Sequence, residues 1–502
     1  MSLQYLHLDV LIEILSYIEV RDVLSMQRTC KDIERVTQLH AVWKSVLENQ
    51  IIPSGRSVPL PSNAPLSAHS ARDLKQATIY SMRLGRNWTS AEPRAFARTQ
   101  FYIGAPATYV QITFFIPGHG GKYLLAVSGG NRVSIWHLGL DLKRTWKILG
   151  WNIQGAIVDA VPNSDSGARA TIALSYVANQ HRYTTLYNLT FSGDGSGHAT
   201  ATCEQIFEGE LPGRLKILRG NLVGLYKRSH LQGYLFNYES QVMIELKGAE
   251  PTTQHHGTCL AMEVLSDCVI MIQPQSVNIF ALPEVARDTE PPPAETKVFQ
   301  AQHISTAFRP GNSDWHSGVI IPYCAPYPAQ RATHPSHPIS LIREKSATIL
   351  SHFLVYCPPD PQPFVVRARR SNNDPRPRDF TELPLCIAQI RNGVRQHFFP
   401  DVMASPISGR GIWLEGSPTE ERSTEQLVLF NASEEVIDDD LRLSDIGKPD
   451  NKKRTHKGAT IAAKEMPHAV KDCTYCSFDD GTGRVVVATR HGQVRILQFG
   501  IA

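Results

Sequence analysis

Tyr123-Leu-Leu-Ala-Val-Ser-Gly-Gly-Asn-Arg-Val-Ser-Ile-Trp-His-Leu138 decides the fold. Its opening six residues are apolar or small. Gly129, Gly130 and Asn131 are turn formers, and from Val133 apolar and polar residues alternate. The stretch reads as a strand, a tight turn and a second strand. Arg484–Phe499 aligns with it without a gap, and Cys268–Leu282 fits the same frame. Their second strands open at Val133, Val277 and Val494, which lie 144 and 217 positions apart. A recurring hairpin outranks any single motif as evidence of architecture. Alone it is marginal; it needs flanking strands and stacked neighbours to bury both faces. That is the middle of a β-propeller blade, and the spacing suggests about seven blades.

Weaker copies occur near Thr171–Leu189, Leu222–Tyr238, Ile349–Val366 and Leu427–Val436. The propeller is therefore expected over 108–502. Insertions interrupt it near 283–297, 357–380 and 432–464 and read as long loops. The last copy ends at Phe499. An exposed strand edge is avoided if its strand lies beside Tyr109–Ile116, whose residues alternate well.

The first fifty residues have a different rhythm. Within 8–18 only Asp9, Glu13 and Ser16 are polar, and the i, i+4, i+7 spacing puts them on one helical stripe. Helices are expected over 8–17, from an Asp22 cap to about 31, and over 34–47, returning Trp43 onto the first two. A unit this small buries too little surface to be comfortable alone. It docks on the rest of the chain, or another protein completes it. The proline-rich stretch 53–65 reads as a linker. A longer helix follows over 67–87, with Leu74, Ala77, Ser81, Leu84 and Trp88 on one stripe. Arg72, Lys75, Arg83 and Arg86 lie off it: a solvated face, or more sharply a groove for an acidic partner. The fold class is α+β multidomain: a short all-α unit (1–50), a linker and connecting helix (51–107), and a predominantly β propeller (108–502).

Residues 6–47 resemble an F-box, the helical module that attaches substrate receptors to the Skp adaptor of cullin–RING ubiquitin ligases. The resemblance rests on Leu6, Asp9, Val10-Leu11, Ile14-Leu15-Ser16-Tyr17-Ile18, Asp22-Val23-Leu24, Thr29-Cys30-Lys31 and Val42-Trp43, in order and at family spacing. His7, Ile33 and Val42 stand where the family more often has Pro, Trp or Phe, and Leu. The helix ending at Asn87-Trp88 is similar to one in fungal F-box proteins. The repeats resemble WD-repeat propellers, with Trp136-His137 where Trp-Asp is typical.

The resemblance implies a substrate-recognition subunit of an SCF-type ubiquitin ligase. Leu6, His7, Val10, Leu11, Ile14, Leu15, Leu24, Cys30 and Trp43 would bind the Skp-type adaptor, and through it a cullin. The propeller would hold a target protein, and the chain itself would catalyse nothing. Two other readings are a propeller enzyme or ligand-binding protein with an N-terminal helical cap, and an F-box scaffold acting outside the ligase.

Composition agrees with an ordinary globular protein, at 42% hydrophobic and 20% charged residues among 502. A net charge of +4 is too mild to imply nucleic acid. The nine scattered cysteines, and an N-terminus with acids inside its apolar run, point to a reducing compartment, cytoplasmic and/or nuclear. No apolar run is long enough to suggest a membrane span.

Motif chemistry is sparse. Gly118-His-Gly-Gly-Lys122-Tyr123 lacks the first glycine and the Ser/Thr of a phosphate loop and reads as a blade turn. Cys473-x-x-Cys476 has no second ligand pair and reads as core. His255-His256 and His334-Pro-Ser-His337 read as surface loop. Neither catalytic residues, nor a metal site, nor a cofactor are expected.

Overall fold

The computed structural model describes residues 6–284 with short gaps (53–55, 62–63, 91, 105–107, 140–141, 166–169, 194–198, 248–258, 266–267 and 275), strands between 298 and 461, and residues 473–500. Five α-helices come first: α1 (Leu8–Tyr17), α2 (Val20–Met26), α3 (Lys31–Thr37), α4 (His40–Val46) and α5 (Ala71–Trp88). A π-helical turn at Leu47–Ile51 continues α4.

The expected 34–47 helix is broken. Leu39 takes an extended conformation and opens α4. The Trp43 indole N–H donates to the Thr37 carbonyl at 2.6 Å, satisfying an end of α3 that has no intrahelical partner. The second helix is also shorter than expected. Glu19 precedes it, Asp22 lies within its first turn rather than capping it, and it ends at Met26. The connecting helix starts on a capping box: Ser70 Oγ accepts from the Asp73 N–H, and the Asp73 carboxylate accepts from the Ser70 N–H.

After the helices the described residues form sheets that are antiparallel except at two edge strands. Among the described residues there are seven sheets. The first holds β2 (Val110–Phe115), β3 (Tyr123–Ser128), β4 (Arg132–Leu138) and β5 (Thr145–Asn152). The second holds β6 (Ala156–Pro162), β7 (Thr171–Ala178), β8 (His181–Gly193) and β9 (Ala199–Glu210). In the third are β10 (Arg214–Arg219), β11 (Leu222–Lys227), β12 (Gln232–Asn237) and β13 (Val242–Leu246), edged by β17 (Val298–Gln300). In the fourth are β14 (Ala261–Val264), β15 (Cys268–Ile272), β16 (Ser276–Ala281) and β18 (His303–Phe308). The fifth combines β19 (Trp315–Pro322), β20 (Pro338–Glu344), β21 (Ile349–Leu354) and β22 (Leu385–Arg391), edged by β26 (Arg454–His456). The sixth has β23 (Met403–Ala404), β24 (Arg410–Glu415), β25 (Gln426–Asn431) and β27 (Ala459–Ile461). The seventh has β28 (Cys473–Asp479), β29 (Arg484–Thr489) and β30 (Gln493–Gln498), with β1 (Ala97–Tyr102) as its fourth strand.

The three strong sequence copies are the second and third strands of the first, fourth and seventh sheets. The β3–β4 hairpin turns over Gly129, Gly130 and Asn131, with both glycines at positive φ, a conformation glycine adopts without steric cost. The first strands touch in chain order, β2 to β6, β10, β14, β19, β23 and β28, and β28 lies against β2.

The partner of β30 is not Tyr109–Ile116. It is β1, in antiparallel register from Ala97↔Gln498 to Tyr102↔Gln493. Tyr109–Ile116 instead supplies β2, which pairs with β3 and contacts β28 between sheets. Strand structure therefore begins before residue 108. The signal in β1 is faint because it is an edge strand with every second residue exposed.

Most of 283–297, all of 357–380, and most of 432–464 lie outside the described residues. All three insertions join the third and fourth strands of their sheets. Two of them return as short parallel strands: β17 beside β13, and β26 beside β22. Each covers the edge of the preceding sheet.

Candidate functional site

The helical unit has its own core: Leu15, Val20, Val23, Val42, Trp43, Val46, Leu47 and Ile51, joined by Leu74 from α5. α1 packs on α3, α4 and the π-helical turn. Gln50 donates to the Ser16 and Ile18 carbonyls at 2.8 and 2.7 Å, tying the end of α1 to that turn.

The nine residues expected to bind an adaptor divide. Leu11, Leu15 and Trp43 are buried at 5%, 0% and 1% exposure, inside the unit. Leu6, Ile14 and Leu24 are half-buried, and His7, Val10 and Cys30 are exposed. The outward apolar surface of α1 also includes Leu8 and Tyr17, which is 75% exposed. The sequence reading passed over both. The signal was present: Val10, Ile14 and Tyr17 repeat at i, i+4, i+7, a different stripe from Leu11 and Leu15.

α5 connects this unit to the sheets. Its first half gives Leu74 to the helical core; its second half gives Tyr80, Leu84 and Trp88 to a core containing Ile412, Leu427, Leu429, Val485, Val487, Leu497 and Phe499. The Trp88 ring lies 5.2 Å from Phe478 and 5.6 Å from Phe499, edge-on to the latter. Asn87 Nδ2 donates to the Phe499 carbonyl at 2.8 Å.

Buried polar groups lock the seat. Tyr80 donates to the Thr482 carbonyl at 2.6 Å, and burial pushes its phenol up to about 12. Ser81 donates to the Ser57 carbonyl at 2.7 Å, and the Ser57 hydroxyl donates to Asp480. Asp480 pairs with Arg410 at 3.4 Å, both nearly inaccessible. Arg484 donates to Gln498 at 3.1 Å and to the Gly121 and Gly139 carbonyls at 2.8 Å. Burial raises the Asp479 carboxyl above its usual range, against hydrogen bonds from Thr482 that pull it down. No local motif marks Arg410, Asp480 or Arg484; their partners are remote in sequence.

Gly118-Lys122 is the β2–β3 turn, as read from sequence. A Cβ on Gly121 would meet Thr482 Oγ1 at 2.6 Å and Asp479 Oδ2 at 2.7 Å, so only glycine fits there. Cys473 and Cys476 are buried in β28. His255, His256, His334 and His337 lie outside the described residues. Among the described residues no three His, Cys, Asp or Glu side chains gather as a metal site. No described helix is long and apolar enough to cross a membrane.

The helical unit meets connections between first and second strands. The β28–β29 turn receives Tyr80, and the β2–β3 turn approaches Pro59. In antiparallel sheets these connections share one end with those between third and fourth strands. The turns between second and third strands, such as Gly129-Gly130 and Asn179-Gln180, emerge at the opposite end.

No protein-family model matches the chain, and no curated protein matches its sequence.

Proposed function

We propose that the chain is a substrate receptor of an SCF-type ubiquitin ligase, with an F-box over α1–α4 and a seven-bladed propeller built from its seven sheets. One observation carries the adaptor reading. α1, the most apolar helix, packs on its helical neighbours and keeps the stripe of Val10, Ile14 and Tyr17 out of its core, with Val10 and Tyr17 exposed. An apolar stripe left out of both cores marks a partner site. A helical cap on a propeller would turn that stripe towards the sheets.

The propeller reading is supported by the four-stranded repeat, the cyclic order of contacts among first strands, and the pairing of β1 with β30. The last feature would close the ring with strands from both ends of the sheet region. A target protein would bind at the end opposite the helical unit. The chain would do no bond chemistry. Its contribution is proximity: a rigidly spaced adaptor and target raise the effective concentration of a target lysine at the ubiquitin thioester. α5, seated in both cores, would set that spacing.

The test is co-purification of the full chain with a Skp-type adaptor. Wild type should retain the adaptor, while Val10→Asp and Tyr17→Asp should lose it with unchanged folding. A charge placed in an apolar interface costs several kcal/mol, about the margin of an ordinary complex. Equal retention by wild type and both variants would overturn the reading.

A further inference from the structure

We infer that the groove between the α2–α3 turn and α5 binds an acidic peptide segment of another protein. The groove has a volume of about 700 Å³ and is lined by Leu24, Gln27, Arg28, Cys30, Lys31, Glu34, Lys75, Ile79 and Arg83. Four cations, Arg28 from the α2–α3 turn, Lys31 from α3, and Lys75 and Arg83 from α5, converge there against one carboxylate, Glu34. Among the described residues none of the four forms an ion pair. Lys75 is held in place: its ammonium donates to Gln27 Oε1 at 2.8 Å and sits 5.6 Å from the centre of the Trp43 ring. Arg28, Lys31 and Arg83 are exposed, and Leu24 and Ile79 are half-buried.

Like charges gathered in a concave site focus a positive potential, which an anionic partner relieves. The apolar contribution of Leu24 and Ile79 selects among anions. It favours a peptide carrying an apolar side chain among its acids over a phosphodiester chain, which gains from exposed aromatic stacking surfaces. The groove's lining contains no such ring. Arg72 and Arg86, on the same α5, lie outside it and provide an internal control. Leu24 and Cys30, both among the residues expected to meet an adaptor, line the groove, whereas Val10, Ile14 and Tyr17 do not, so the site borders the proposed adaptor surface; the assay below uses the chain without adaptor, and its outcome is read apart from adaptor retention.

The test uses the full chain and a fluorescein-labelled poly-glutamate peptide interrupted by one leucine, read by fluorescence anisotropy. Arg28→Glu combined with Arg83→Glu should weaken binding at least about tenfold, because both charges face the ligand. Arg72→Glu with Arg86→Glu makes the same change in net charge and should weaken it about twofold or less. All four residues are exposed, so both double variants should melt as wild type does. Equal losses in the two variants would reduce the effect to diffuse charge and overturn the site. Competition by oligothymidylate as strong as by unlabelled peptide would overturn the peptide assignment.

Discussion

α1 and α5 are both amphipathic helices, and their fates are opposite. α1 is almost wholly apolar, yet of its ten residues only Leu11, Leu15 and Ser16 are buried. α5 carries Arg72, Lys75, Arg83 and Arg86, yet buries Leu74, Ala77, Thr78, Tyr80, Ser81, Leu84, Gly85 and Trp88. The more apolar helix is the more exposed. Composition sets how much a helix can bury; the surfaces it meets decide how much it does. α5 meets two cores and α1 meets one. The surplus apolar surface of α1 has no place within the described chain.

The largest effect expected from this contrast is at Trp88. Trp88→Ala should cost about 3–5 kcal/mol, since it empties a fully buried site between Phe478 and Phe499. Thermal melts should show the loss, and limited proteolysis should release the helical unit. A variant that melts like wild type would mean that α5 is not seated on the sheets.

Leu15→Ala comes next, at about 2–5 kcal/mol, confined to the helical core. Hydrogen exchange should rise over 8–51 and stay unchanged in β29 and β30. Equal loosening of both regions would merge the two cores into one cooperative unit and weaken the contrast.

A smaller, pH-linked effect is expected at the seat. Asp479 has a raised carboxyl in the folded chain, so the native state binds its proton more tightly than the unfolded state. Its ionised form is penalised at neutral pH, and the penalty falls as pH drops through the folded value. Relative to Asp479→Asn, wild type should therefore gain stability on acidification from pH 7 towards the usual carboxylate range. Melting both proteins across that range checks the sign; a difference that ignores pH would argue against a buried carboxylate.

Val10→Asp should have the smallest effect on stability, within about 0.5 kcal/mol, because the side chain is exposed. A large destabilisation there would mean that the outer face of α1 is packed after all.

Much of this was legible beforehand. The hairpin repeat located β3–β4, β15–β16 and β29–β30 because period-two alternation and turn residues act locally. α5 was visible from its stripe, and the predicted limits of α1 agree with those observed. The break at Leu39 was not, since it depends on the Trp43 indole reaching the Thr37 carbonyl. Nor was the split of the expected adaptor residues into buried Leu11, Leu15 and Trp43 and exposed Val10. Every apolar residue on a short helix looks alike until its neighbours are in place.

The sequence by itself determined the elements: helices first, then recurrent strand pairs, with turns where glycine permits positive φ. Those choices are made over a few residues by backbone sterics and side-chain periodicity. Tertiary structure alone decided that β1 rather than β2 accompanies β30, that the Asp480–Arg410 pair locks the seat of α5, and which end of the sheets the helices occupy. Each is a pairing between segments far apart in the chain, where many partners satisfy the same local pattern. Only the simultaneous burial of both faces and the satisfaction of every backbone edge selects one of them.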